Sequence, residues 1–92
     1  MAASSGSEKQ LAFERHFLED LRHWVVTDPR VAAKILDLID AIARDPTRGI
    51  GKPELLKRMG SGYWSRRITQ EHRLVYRVLD TRIVFLQSRY HY

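Results

Sequence analysis

The sequence predicts an α+β fold in which a helical hairpin packs on one face of a small antiparallel β-sheet. Three observations carry this. Apolar residues recur at helical spacing in two successive segments between residues 14 and 44. A glycine-rich segment follows, over residues 47–62. The remainder is rich in aromatic and β-branched residues, with two breaks of hairpin length.

Taken in order, residues 1–8 are mostly small and polar and read as a flexible tail; residues 9–92 form one domain. Gln10-Leu11-Ala12-Phe13 suits a short first strand. Phe17, Leu21, Trp24 and Val25 then share one face of a helix from about residue 14 to 27. Asp28-Pro29 ends it and opens the next, since Asp is favoured at the N-cap and Pro at the first helical position. Val31, Ile35, Leu38, Ile39 and Ile42 form the second apolar stripe. Pro46 closes that helix, because the residue before a proline is pushed out of helical geometry. Gly49, Gly51, Gly60, Gly62 and Pro53 make residues 47–62 largely loop, with a short turn or strand near Leu55–Arg58. Strands are expected at Tyr63–Thr69, His72–Leu79 and Arg82–Tyr90, turning at Gln70-Glu71 and Asp80-Thr81. In the middle strand Leu74, Tyr76 and Val78 share one face and Arg73, Val75 and Arg77 the other. The helices cover the first face and leave the second to polar residues.

Ninety-two residues hold one modest core. With 43% hydrophobic and 29% charged residues the chain reads as globular, not disordered. The absence of cysteine excludes disulfides and thiolate metal sites. No apolar run is long enough for a membrane span, and no secretory signal opens the chain, so the cytoplasm is the expected compartment. The charge is unevenly divided. Residues 1–46 hold 6 Lys/Arg and 8 Asp/Glu, net −2; residues 47–92 hold 10 and 3, net +7; the two sum to the net +5 of the whole chain. A basic, aromatic half points to a polyanion, most often nucleic acid.

That half also holds the makings of metal-free RNA cleavage. The reaction needs a base for the 2′-hydroxyl proton, an acid for the departing 5′ oxygen, and cations for the phosphate. Glu54 is a loop carboxylate, His91 a histidine at the last position but one, and arginines lie between. Each has a plainer explanation when taken singly: Glu54 as a solvated loop residue, His91 as decoration on a fraying end, His72 as structural support beside a hairpin. Arg66 and Arg67 are adjacent in a strand and point to opposite faces, so at most one serves a given site. His16 and His23 have no ligand set around them that suggests zinc, and no phosphate-loop or dinucleotide fingerprint is present.

Four blocks in order carry a family resemblance: Gly49-Ile50-Gly51-Lys52-Pro53-Glu54-Leu55-Leu56-Lys57, Ser61-Gly62-Tyr63-Trp64-Ser65-Arg66-Arg67-Ile68-Thr69, Glu71-His72-Arg73-Leu74-Val75-Tyr76, and the terminal Arg89-Tyr90-His91-Tyr92. From about residue 11 onward the chain resembles the YoeB toxins of the RelE/ParE superfamily of type II toxin–antitoxin systems. The resemblance implies a RelE/YoeB-like microbial ribonuclease-type fold and a metal-independent, ribosome-dependent endoribonuclease that cuts messenger RNA in the ribosomal A site and so inhibits translation. By the same resemblance Glu54 would be the general base, Arg73 the phosphate stabiliser, His91 the general acid and Tyr92 the residue that orients or stacks on substrate. Lys57, Arg67, Lys52 and Arg89 would bind RNA or phosphate. No cofactor is implied. The implied partners are a YefM-type antitoxin, the ribosome with its mRNA, a second copy of the chain, and operator DNA only through the antitoxin complex. Two other classes stay open at this point: a superfamily toxin that does not cut RNA, like the gyrase-poisoning ParE branch, and a non-catalytic RNA-binding module.

Overall fold

The computed structural model describes residues 9–90. The tail expected at residues 1–8 and the candidates His91 and Tyr92 lie outside the described residues. Strand β1 (Gln10–Phe13) leads into helices α1 (Arg15–Thr27) and α2 (Pro29–Arg44), followed by β2 (Glu54–Leu55), a 3₁₀ turn at Lys57–Met59, β3 (Tyr63–Arg67), β4 (Arg73–Val78) and β5 (Arg82–Gln87). The strands lie in the order β1-β5-β4-β3-β2, one open sheet beneath the two helices.

The helices stop and start where the sequence punctuates them. Asp28 does so through its backbone, not through the side-chain cap expected of an aspartate: its N–H donates to the Trp24 carbonyl at 2.8 Å, and its own carbonyl accepts from the amides of Val31 and Ala32 at 2.9 and 3.3 Å. One residue thus closes α1 and opens α2, and Pro29 follows at a position where no amide is needed. On α2 the buried stripe is Ala32, Ile35, Leu38, Ile39 and Ile42, with Val31 at its margin. On α1 it is Phe17, Asp20 and Trp24, with Leu21 beside them. Val25 departs from expectation and is 56% exposed. The arc that faces inward runs through Phe17, Asp20 and Trp24, and one further residue turns about 100° away from it.

The sheet is mixed where an antiparallel one was expected. The meander β3-β4-β5 is antiparallel, and β2 adds to it the same way, pairing Glu54 with Ser65 and Leu55 with Trp64. Strand β1 joins the far edge parallel to β5, with Phe13 opposite Phe85 and their rings stacked at 4.9 Å. The intervening chain supplies the crossover that parallel neighbours require. Leu74, Tyr76, Ile83 and Phe85 meet the helices, and each such fully buried side chain contributes roughly 1.5–3 kcal/mol.

Arg66 points into this layer, opposite to Arg67, and is fully buried. Its Nη2 donates to the carbonyls of Asp45 (2.7 Å) and Arg48 (2.9 Å), its Nη1 to that of Ile50 (3.1 Å), and its Nε to the Tyr76 hydroxyl (3.1 Å). The Tyr76 hydroxyl in turn donates to the Pro46 carbonyl at 2.6 Å. The loop that carries the candidate base is therefore anchored from inside the protein. No helix among the described residues is long and apolar enough to cross a membrane.

Candidate active site

The face of the sheet away from the helices carries Tyr63, Ser65 and Arg67 from β3 and Arg73, Val75 and Arg77 from β4, with Tyr63 opposite Arg77 and Arg67 opposite Arg73. Strand β2 brings Glu54 alongside Ser65 at the edge. Two of the candidates meet here: Nη1 of Arg73 donates to Oε1 of Glu54 at 3.3 Å, and lies 3.5 Å from the Ser65 hydroxyl. The Arg73 side chain is 18% exposed and that of Glu54 58%. The guanidinium is thus held by the sheet, while the carboxylate stands in solvent where it can reach a substrate.

Backbone geometry sets Glu54 in place. Gly51 adopts φ +83°, a left-handed conformation that glycine takes without steric penalty, and its carbonyl accepts from the Arg67 amide at 2.6 Å. A side chain there would meet Leu38 Cδ2 at 2.9 Å. Lys52 follows, also left-handed at φ +52°, and Pro53 then fixes the entry into β2.

Arg67 and Lys52 line a cleft of about 440 Å³ with Lys34, Gly51, Ile68, Thr69 and Gln70. Its three cations face no carboxylate in its lining, and the buried Nε of Arg67 has no hydrogen-bond partner among the described residues. Lys57 lies in the 3₁₀ turn with Arg58 and Met59, three residues beyond Glu54. The guanidinium of Arg89 lies 4.7 Å from the centre of the Tyr90 ring, and both line a cleft of about 550 Å³ with His23, Trp24, Glu71 and His72. Tyr90 itself is tied to the site strand, its carbonyl accepting from the Arg73 amide at 3.1 Å. Among the described residues no group of three or more His, Asp or Glu side chains gathers at metal-binding spacing.

Two buried polar residues escape a reading of the sequence. Ser65 looks like a strand filler, yet it is buried beside Arg73. Asp20 occupies a stripe position where an apolar residue is the norm, and its carboxylate accepts from the Ser88 amide at 3.0 Å. A charged residue in a buried stripe was the one available signal.

Among solved structures, the YoeB dimer from Staphylococcus aureus matches with a TM-score of 0.83 and 40% identity over 94% of this chain and 100% of that one. A heterotetrameric YoeB–YefM toxin–antitoxin complex from the same organism matches at 0.79 and 40%, with the same coverage. The class is thus a small α+β toxin of a toxin–antitoxin system. Residues 13–92 match the model of the YoeB-like toxin of bacterial type II toxin–antitoxin systems. A toxin YoeB of Streptomyces coelicolor is 52% identical over 83 residues, 90% of this chain and 99% of the relative. The chain belongs to the YoeB toxin family.

Proposed function

We propose that this toxin is a metal-independent endoribonuclease that cuts messenger RNA in the ribosomal A site and so stops translation in the cytoplasm. Its partners are then the ribosome with its mRNA, a YefM-type antitoxin that neutralises it, and a second copy of the chain. Operator DNA is reached only through the antitoxin complex. Family membership supports the setting. The contact that carries the chemistry is the 3.3 Å bond between Arg73 and Glu54 on the open face of the sheet.

In this mechanism Glu54 takes the proton of a 2′-hydroxyl, and the freed oxygen attacks the adjacent phosphorus. Negative charge grows on the non-bridging oxygens, and Arg73 stabilises it from a position fixed before substrate arrives. His91 gives a proton to the departing 5′ oxygen. The products are a 2′,3′-cyclic phosphate and a 5′-hydroxyl. Tyr92 orients the substrate, and Lys52, Lys57, Arg67 and Arg89 bind flanking phosphates. His91 follows Tyr90 directly in the chain, and the amide of Arg73 binds Tyr90, which supports a shared site.

Single-turnover cleavage on programmed ribosomes tests the assignment. Glu54→Ala and His91→Ala should each slow cleavage by roughly 10²–10⁴-fold. Arg73→Ala should cost roughly 10²–10³-fold, as loss of one donor to a developing oxyanion does. The rate should show a bell-shaped pH profile, because acid and base need opposite protonation states. Three variants as fast as the parent, or products without cyclic or 3′-phosphate ends, would refute the mechanism.

A further inference from the structure

Ser88 and Tyr90 are tied to the rest of the fold through their backbone groups. Ser88 is fully buried, and its bonds answer that burial: its amide donates to Asp20 Oδ2 at 3.0 Å, and its carbonyl accepts from Trp24 Nε1 at 2.9 Å. Tyr90 is different. It is 58% exposed. Yet its amide donates to Nδ1 of His72 at 2.8 Å and its carbonyl accepts from the amide of Arg73 at 3.1 Å. His72, just before β4, and Arg73, its first residue, thus grip one residue on both sides. Tyr90 sits at φ +66°, a conformation that a bulky side chain adopts only when its surroundings impose it.

His72 is itself prepared for this. Its amide donates to Thr69 Oγ1 at 3.1 Å, and its carbonyl accepts from Ile68 and Thr69 at 2.9 and 3.2 Å. The Trp24 indole meets its ring edge-on, with 4.8 Å between ring centres. An N–H aimed at Nδ1 requires that nitrogen to be free of hydrogen.

We infer that His72 is a positioning residue for the acid step: its Nδ1 fixes the backbone of Tyr90, the residue that precedes His91 in the chain. The inference rests on the acid role proposed for His91. His72 immediately precedes Arg73, so the bond holds Tyr90 one peptide step from the arginine that opens β4. His72 needs no contact with substrate.

The test is single-turnover cleavage of two RNAs, one natural and one with sulfur replacing the bridging 5′ oxygen at the scissile phosphate. A thiolate leaves without protonation, so a defect in acid delivery disappears on the sulfur substrate. His72→Ala should cut natural RNA about 10²-fold more slowly, the size of loss expected for a misplaced reacting group. It should cut the sulfur substrate close to the parent rate. His91→Ala should show the same pattern with a larger first loss. His72→Asn, whose Oδ1 stands where Nδ1 stood, should restore cleavage of natural RNA. Parental rates for His72→Ala on both substrates would overturn the inference. So would an equal loss on both when sulfur rescues His91→Ala, and that outcome leaves the nuclease mechanism standing. Failure of sulfur to rescue His91→Ala would instead remove the acid role and the inference with it. If His72→Ala does not fold, ¹⁵N relaxation in a His91→Ala background decides: the Tyr90 amide should be as rigid with His72→Asn added as without it. A His72 Nδ1 resonance showing an attached proton at neutral pH would sink the idea.

Discussion

Arg66 is a fully buried cation without a carboxylate among its bonded partners; three backbone carbonyls and a phenol surround it instead. Removing it strands acceptors already withdrawn from solvent, each costing about 1–3 kcal/mol. Arg66→Leu should therefore destabilise the fold by roughly 3 kcal/mol or more, read as a lowered midpoint in urea. Arg66→Lys should recover only part of that, because an ammonium cannot reach the same fork of acceptors. The partner Tyr76 has its pKa raised, chiefly by burial, with the hydrogen bond and charge of Arg66 pulling the other way. A proton held more tightly in the folded than in the unfolded state stabilises the fold below the unfolded pKa of about 10 and less as pH rises beyond it. Stability should fall on alkaline titration above about pH 10, and Tyr76→Phe should flatten that fall. An unchanged alkaline limb in Tyr76→Phe would show that other groups govern it.

At the scale of elements, Gly51 joins the α2–β2 loop to β3 and determines where Glu54 enters the sheet. Gly51→Ala adds a Cβ 2.9 Å from Leu38 Cδ2 and forces a left-handed φ on an alanine. It should cost about 1–2 kcal/mol from the backbone alone, and cleavage should fall further than stability explains, because the carboxylate moves with the loop. Thermal midpoints and cleavage rates measured together check this. How much of the architecture was legible follows from the range of the forces. Both helices, their junction at Asp28 and the three-strand meander are written in local periodicity and turn residues, and appear within a few residues of expectation. The opposed faces of Arg66 and Arg67 follow from strand alternation alone. The parallel pairing of β1 with β5 was not readable, because its partner lies some seventy residues along the chain and leaves no local mark. The burial of Arg66 was hidden because an arginine in a strand reads as surface until the loop carbonyls that claim it are seen. Within the site, motif blocks picked out Glu54 and Arg73, which do meet. They gave His72 only a supporting place beside its hairpin, since its bond to Tyr90 joins two segments folded together.

For the whole molecule, the divided charge noted in the sequence acquires a direction. The acidic half is mostly the helical hairpin, while the basic half forms the meander whose open face carries Arg67, Arg73 and Arg77. Arg77 is partly committed, lying 4.8 Å over the Tyr63 ring and donating to the Ser61 carbonyl. Arg73 is committed to Glu54. Arg67 and Lys52 form no ion pair among the described residues and share a cleft with Lys34, so a polyanion seated there meets three cations at once. Binding of single-stranded RNA by phosphate contacts weakens with salt, and each contact adds about 0.7 to the slope of log K against log salt. The double variant Lys52→Ala with Arg67→Ala should lower that slope by about 1.4, measured by anisotropy with a 2′-O-methyl RNA that resists cleavage. Arg30→Ala, on the exposed start of α2, removes one charge from the other half and should leave the slope unchanged. If Arg30→Ala lowers the slope per charge as much as the double variant does, the attraction is a property of net charge and not of this face.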